Sequence, residues 1–237
     1  MKLNRRLFTT LAAGALAASL AIPATAADLD AIESAGTVKI GMLVDFPPFG
    51  IMDSAGQPDG YDADVAKALA EYLGVQPQIV PVTGPNRIPY LLSGQVDVLV
   101  ASLGITEERA ARVDFSDPYA GISIAVYGDA GLEIADAAAL SGQTVAVARA
   151  STQDTAVTEV APSDAQIRRF DDDASAVQAL MSGQVKLIGA SNVVMAQIGS
   201  AVGDRFDKKF DLSSQVQGIA VAPDSDALLD KVNAFVA

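Results

Sequence analysis

Two stretches, Ser93-Gly-Gln-Val-Asp-Val-Leu-Val-Ala-Ser102 and Ser182-Gly-Gln-Val-Lys-Leu-Ile-Gly-Ala-Ser191, share Ser, Gly, Gln, Val, Ala and Ser at matching places, six of ten positions. In each, a helical pattern ends at Ser-Gly, a β-branched apolar run reads as a buried strand, and a serine stands at the strand's carboxyl end. A helix-Gly-strand transition is common, so ten residues alone would mean little. The weight comes from where the two copies sit.

Working outward from the first copy, Thr37–Val44 alternates as a strand, and Asp45–Phe49, with Pro47-Pro48, is a loop leaving it. Ser54–Gly60 is a turn cluster. Asp62–Leu73 carries Val65, Ala68, Leu69, Tyr72 and Leu73 at helical spacing, with acids at its positive end and Gly74 as its stop. Gln78–Val82 is a strand, Ile88–Leu92 a short helix and Val96–Ala101 a buried strand. Around Gly128–Gly142 the chain turns alanine-rich and loop-like, and the pattern restarts. Thr144–Ala148 is a strand, Thr152–Val160 a helix, Gln166–Phe170 a strand, Ala174–Met181 a helix and Lys186–Gly189 a strand. Gly218–Ala222 is a late strand and Ser225–Val236 a closing helix. Both copies thus occupy the same place in a β-α-β-α-β unit, which predicts an α/β protein with parallel sheets and helical crossovers. The expected division is residues 27–127 plus 215–237 in one lobe and 128–214 in an inserted second lobe. Ligands of open α/β sheets bind beyond the carboxyl ends of strands, so facing lobes would put Ser102 and Ser191 on opposite walls of one cleft.

Composition narrows the chemistry. The 237 residues hold 16 Lys and Arg against 29 Asp and Glu, with no Cys, His or Trp. Zinc fingers, Ser-His-Asp triads, Cys-His nucleophiles and disulfides are therefore excluded. So acidic a chain is not drawn to nucleic acid or an anionic membrane. Neither a metal nor a cofactor is expected. Residues 1–26 read as an export signal. Lys2, Arg5 and Arg6 precede the apolar run Leu7–Ile22, Pro23 breaks it, and Ala24-Thr25-Ala26 suits a cleavage site. The alternative, a membrane anchor, is disfavoured by the short run and by its interruptions at Gly14 and Ser19. The Arg5-Arg6 pair fits either the general or the twin-arginine export route. With no Cys near the cut, a lipid anchor is excluded, and a processed chain would lie free in the periplasm. Losing three basic residues moves the net charge from −13 to −16.

After the first copy comes Ser102-Leu-Gly-Ile-Thr-Glu-Glu-Arg109. Thr106 suits an N-cap, Glu107 and Glu108 suit a helix's first turn, and Gly104 permits close backbone approach. A guanidinium beside free backbone N–H groups is a carboxylate-binding arrangement, although Arg109 could equally pair with Glu107, Glu108 or Asp114 on the surface. The run Asp171-Asp172-Asp173 reads as a solvated helix cap, since three consecutive carboxylates on a helix cannot all face one ion.

The chain resembles the extracytoplasmic solute-binding proteins of polar amino-acid ABC transporters, family 3. The resemblance is carried by Lys39–Phe49, Gly60–Ala66, Asp97–Arg109, Val113–Tyr119, Thr144–Asp154 and Ala179–Val185, in order along nearly the whole chain after the signal. It implies a two-lobed periplasmic-binding-protein fold of type II (Venus flytrap) with two crossing hinge strands, acting as a monomer that hands a small ligand to an inner-membrane permease. It also implies roles. Arg109 would grip the ligand α-carboxylate, helped by Ser102, Gly104 and Thr106, and Phe46 would stack on the ligand side chain. Ser151, Thr152 and Gln153 would close over the carboxylate with helix N–H groups, and Arg87 would line the side-chain pocket.

The chain departs from the family pattern in several places. Ala150 stands where the family often has Gly. The Asp that usually follows the second-lobe strand and binds the α-ammonium is replaced by Ser191 and Asn192. Asp172 or Asp173 would then have to substitute, or the ligand lacks an amine. The family usually continues past the closing helix into another with a Gly and a Trp, so the end at Ala237 reads as a truncation. A competing reading is an exported cyclohexadienyl-acid dehydratase on the same fold, with Asp172 or Asp173 as general acid and Arg109 and Arg87 holding carboxylates.

Overall fold

The structure is a computed structural model that describes residues 29–237; the export signal read at residues 1–26 lies outside them. The chain begins with α1 (Leu29–Ala35), β1 (Thr37–Leu43) and a small hairpin of β2 (Ile51–Met52) and β3 (Pro58–Asp59). There follow α2 (Tyr61–Leu73), β4 (Gln76–Val82), α3 (Arg87–Leu92), β5 (Val98–Leu99) and α4 (Glu107–Ala110). A long strand, β6 (Asp114–Asp129), leads into β7 (Thr144–Ala148), α5 (Thr152–Val160), β8 (Gln166–Phe170), α6 (Asp173–Met181), β9 (Leu187–Ser191) and α7 (Asn192–Val202). A second long strand, β10 (Phe206–Val221), returns to α8 (Asp226–Val236). Among the described residues no helix is long and apolar enough to cross a membrane.

The main sheet runs β4-β1-β5-β10-β6-β9-β7-β8. β1 is parallel to β4 and β5, and β7 is parallel to β8 and β9. The two halves meet through the antiparallel pair β6 and β10, matched from Phe206 opposite Asp129 to Val221 opposite Asp114. β5 joins this ladder only at Ala220 and Val221, and β9 only over Ile124–Gly128. Around Gly121–Val216 and Ile122–Gln215 the two strands cross between the halves without a third strand beside them. This is the two-lobed α/β architecture expected from the internal echo and the resemblance.

Apolar positions explain the layers. Ile40, Leu69, Ile219, Leu228 and Val232 bury one face of the first half-sheet under α2 and α8. Leu43, Leu91, Val96, Leu99 and Leu103 pack on its other face and reach Ile122, Ile124 and Val194. The second half has its own clusters, around Ala146, Leu180 and Ile188 on one face and Val145, Val157 and Leu187 on the other. Leu99 fits over Gly41, where a Cβ would stand 2.6 Å from Leu99 Cδ2. Leu99→Ala should therefore lower unfolding stability by about 2–5 kcal/mol, read from urea titration; a loss below about 1 kcal/mol would contradict this packing.

The sequence reading leaves out α1, the small β2–β3 hairpin, β6, most of β10 and α7. β6 contains Asp117-Pro118 and Gly121, which punctuate an otherwise strand-like run. β10 begins in a polar stretch, Asp207-Lys-Lys-Phe210, so only its last residues read as a strand. α7 continues directly from β9, with Ser191 serving both as the strand's last residue and the helix N-cap.

Candidate functional site

The loops at the carboxyl ends of the parallel strands converge between the lobes. The loop after β1 brings Asp45 and Phe46, the loop after β5 brings Ser102 to Arg109, and the loop after β7 brings Arg149 to Gln153. Asp173 enters from the start of α6, Arg87 from the start of α3, and Ile122 and Gln215 from the crossing strands. Between the lobes, Leu43, Ile122 and Gln215 join Phe46, Arg87, Ser102, Arg109, Ser151, Thr152, Gln153 and Asp173 as the walls of a small interlobe cavity of about 20 Å³.

Arg109 is fixed on three sides. Its backbone N–H donates to Thr106 Oγ1 at 3.2 Å, so Thr106 is the N-cap of α4. Its guanidinium donates to Gly104 O at 2.9 Å and, across the cleft, to Ala150 O at 3.0 Å. Arg87 is 5% exposed and donates to Ala101 O at 2.9 Å and to Ala150 O at 3.5 Å. Burial, and then the neighbouring charge of Arg109, lower Arg87 to about 9; burial lowers Arg109 as well. At about 9, Arg87 remains cationic near neutral pH. Two desolvated guanidiniums against one carbonyl oxygen form a site that an anion would stabilise.

The Ser102 turn is held from below. Ser102 has φ 47, in the left-handed region. Its hydroxyl donates to Asp62 Oδ2 at 2.7 Å, and its N–H donates to the Tyr119 hydroxyl at 3.1 Å. Tyr119 in turn donates to Asp62 Oδ1 at 2.9 Å. Burial raises the fully enclosed Asp62 carboxyl, while the two hydroxyl donors pull it back; burial and Asp62 push Tyr119 well up. Sequence reading treats Asp62 only as a charge at a helix start, and Tyr119 only as part of a family stretch. Nothing in the local pattern shows that the two meet beneath Ser102. Ala150, with φ 57, is likewise a non-glycine in left-handed backbone, and its carbonyl serves both arginines.

On the second lobe, Ser151 caps α5 through its hydroxyl, which accepts from Asp154 N–H at 3.0 Å. Gln153 Nε2 donates to Asp173 Oδ1 at 3.4 Å. Burial, then the charge of Asp45, pushes the Asp173 carboxyl up to about 7; burial, then Asp172, pushes Asp45 to about 6. Asp172 is the N-cap of α6, accepting from Ser175 N–H at 2.6 Å. The acidic run thus divides into a cap and a cleft residue. Phe46 is buried and stacks on Phe49 with centroids 5.6 Å apart.

Ser191 and Asn192 are placed elsewhere. Ser191 is fully buried and its hydroxyl accepts from Val194 N–H. Asn192 turns to the crossing strand and accepts from Ser123 N–H at 3.0 Å. Neither lines the cavity shared by Arg109 and Asp173. Among the described residues no cluster of His, Cys, Asp or Glu is arranged to hold a metal ion.

The raised carboxyls set a pH dependence for the ligand-free protein. Asp173 and Asp45 titrate higher in the folded chain than the ordinary value of 3.8. The folded state therefore holds more protons than the unfolded state between about pH 4 and 7, and these groups lower stability as pH rises through that window. The melting temperature should rise as pH falls from 8 to 5, and Asp173→Asn should flatten that slope; an unchanged slope in the variant would contradict the burial of this carboxyl.

The chain is 32% identical over 217 residues to the ABC transporter glutamine-binding protein GlnH of Bacillus subtilis (strain 168), covering 87% of this chain and 77% of that one. It superposes with a TM-score of 0.81 on the arginine-bound form of truncated ArgBP from T. maritima, at 32% identity, covering 87% of this chain and 98% of that chain. A shorter match, 33% identical over 115 residues, covers 48% of this chain and 43% of the cyclohexadienyl dehydratase of Pseudomonas aeruginosa. Residues 38–237 match one family along almost all the described structure, so this chain belongs to the bacterial extracellular solute-binding proteins, family 3.

Proposed function

We propose that the protein is the periplasmic substrate-binding component of an ABC transporter. It captures an amino acid or related small carboxylate in the interlobe cleft and delivers it to a membrane permease. The observation that carries this reading is the Arg109 guanidinium, held between Gly104 O of one lobe and Ala150 O of the other inside a cavity that also holds Arg87. A carboxylate entering there takes up guanidinium donors and bridges the two lobes, so ligand favours the closed form by its extra contacts in that form. The two lobes divide as residues 27–127 plus 215–237 and residues 128–214, and the protein works as an exported monomer without cofactor.

Phe46, Arg87, Ser102, Gly104, Thr106, Arg109, Ser151, Thr152 and Gln153 form the site in this reading. Asp173 replaces the acid that the family carries after β9, since it alone of the candidate acids Asp172 and Asp173 lines the cavity. Ser191 and Asn192 then support the hinge side, through their bonds to Val194 and Ser123. The test is a thermal-shift screen of the purified protein against amino acids, keto acids and dicarboxylates. A stabilisation of several degrees by one amino acid is expected, and none by any carboxylate would refute the reading.

A second reading has one observation in its favour. A carboxyl at about 7 facing two arginines suits a general acid near neutral pH. That is what a dehydratase of cyclohexadienyl acids would require. Loss of the cyclohexadienyl absorbance on incubation with the protein, removed by Asp173→Asn, would select it. Stoichiometric binding of an amino acid without turnover selects the first.

A further inference from the structure

One polar atom beside the cleft lacks a protein partner: Gln215 Oε1 is buried and accepts no hydrogen bond. Gln215 belongs to β10, opposite Ile122 of β6, and both residues line the same cavity as Arg87, Arg109 and Asp173. Its amide packs directly on Gly104, where any Cβ would overlap it. The carbonyl of Gly104 is also the oxygen that holds the Arg109 guanidinium. One glycine therefore has the orphan amide on one side and the carboxylate grip on the other. A buried acceptor without a donor is rare in folded proteins and costly, so its setting asks for a donor from outside the chain.

We infer that Gln215 is a ligand contact supplied by the hinge, its side-chain oxygen accepting from the α-ammonium group of an amino acid and sharing that group with Asp173. This rests on the binding-protein reading above. The chemistry follows from position. An α-amino acid carries its ammonium on the carbon next to its carboxylate, so a carboxylate on Arg109 brings the ammonium into the same small space. The arginines are already donors to backbone oxygens and cannot serve as acceptors. Ser191 spends its hydroxyl on capping α7. An acceptor from β10 and a carboxylate from α6 are left to face the ammonium. Because β10 crosses between the lobes at this residue, the contact joins ligand recognition directly to the hinge ladder.

The experiment compares calorimetric affinities of wild type, Q215L and Q215E for L-glutamine and L-arginine, each beside its desamino analogue. A structural role for Gln215 would weaken an amino acid and its analogue alike. The inference expects Q215L to cut the preference for the amine at least about tenfold, leaving the analogue nearly unchanged, and Q215E to keep or increase that preference. Equal weakening of both ligands in Q215L overturns it. A wild type that binds carboxylates without preferring the amine also overturns it while leaving carboxylate capture intact. A wild type that binds none of the four overturns this inference, whereas the proposed function falls only if no carboxylate stabilises the protein in the thermal-shift screen.

Discussion

Arg109→Ala should remove ligand-induced thermal stabilisation and weaken binding by about thirtyfold to several thousandfold. Truncating one partner of a desolvated, hydrogen-bonded charge pair costs about 2–5 kcal/mol, and each 1.4 kcal/mol is about tenfold in affinity. The position of the side chain puts the effect at the upper end. Arg109 donates to both lobes, so its removal takes away the anchor proposed for the ligand and also the bond from Nη2 to Ala150 O across the cleft. Arg109→Lys is the informative partner variant. It keeps the charge but loses the planar fork, and one ammonium cannot reproduce bonds to Gly104 O, Ala150 O and a carboxylate together. Lysine should therefore fall between wild type and alanine. The ligand-free melting temperature guards against a trivial loss of fold, since Arg109 sits on a four-residue helix at the surface of the first lobe's core. An alanine variant that still gains several degrees from the same ligand would remove Arg109 from the site.

How much of this was legible in the sequence depends on whether the signal was local. The parallel units were legible because their strands and helices have unmixed periodicity; β7, α5 and β8 begin and end where the pattern says. Caps were legible for the same reason: Thr106 and Asp172 are short polar side chains standing just before helical runs, and each accepts from its own helix. The crossing strands were legible only through the family resemblance and, locally, at the end of β10. Their pairing joins residues about a hundred positions apart, and Pro118 and Gly121 look locally like turns. The Asp62–Tyr119–Ser102 network is hidden in the same way, since its members meet only after α2, the β5 loop and β6 are assembled. The echo itself misleads at one point. It aligns Ser191 with Ser102 as opposite cleft walls, yet Ser102 lines the cavity while Ser191 turns inward to cap α7. Equivalent strand ends need not present equivalent side chains when one continues straight into a helix and the other into an open loop.

The second large effect is a proton released on binding, and it follows from Asp173. In the folded chain, burial, and then Asp45, raise its carboxyl to about 7, with Arg87 partly opposing and Asp172 adding a further rise. A ligand ammonium set against the carboxylate favours the charged form, so the pKa of Asp173 must fall when an amino acid binds. Between about pH 6 and 7 the protein should therefore give up a proton as it takes ligand, and affinity should weaken as pH falls through that window. Calorimetry in two buffers of different ionisation enthalpy reads this directly, with release approaching about half a proton per ligand near pH 7 and more just below it. Of the other groups facing the site, Arg87 near 9 titrates outside the window, Asp45 near 6 lies at its edge, and burial lowers Arg109. Asp45 would extend the release toward pH 5 without replacing it near pH 7. Asp173→Asn should abolish the release near pH 7 and reduce amino-acid affinity by about tenfold or more, since an amide gives an ammonium a dipole in place of a charge. If Asp173 instead acted as an acid toward a leaving hydroxyl, binding would keep the carboxyl protonated, and the heat would show no proton leaving. The sign of that single measurement thus separates capture of an amine from acid catalysis at the same residue.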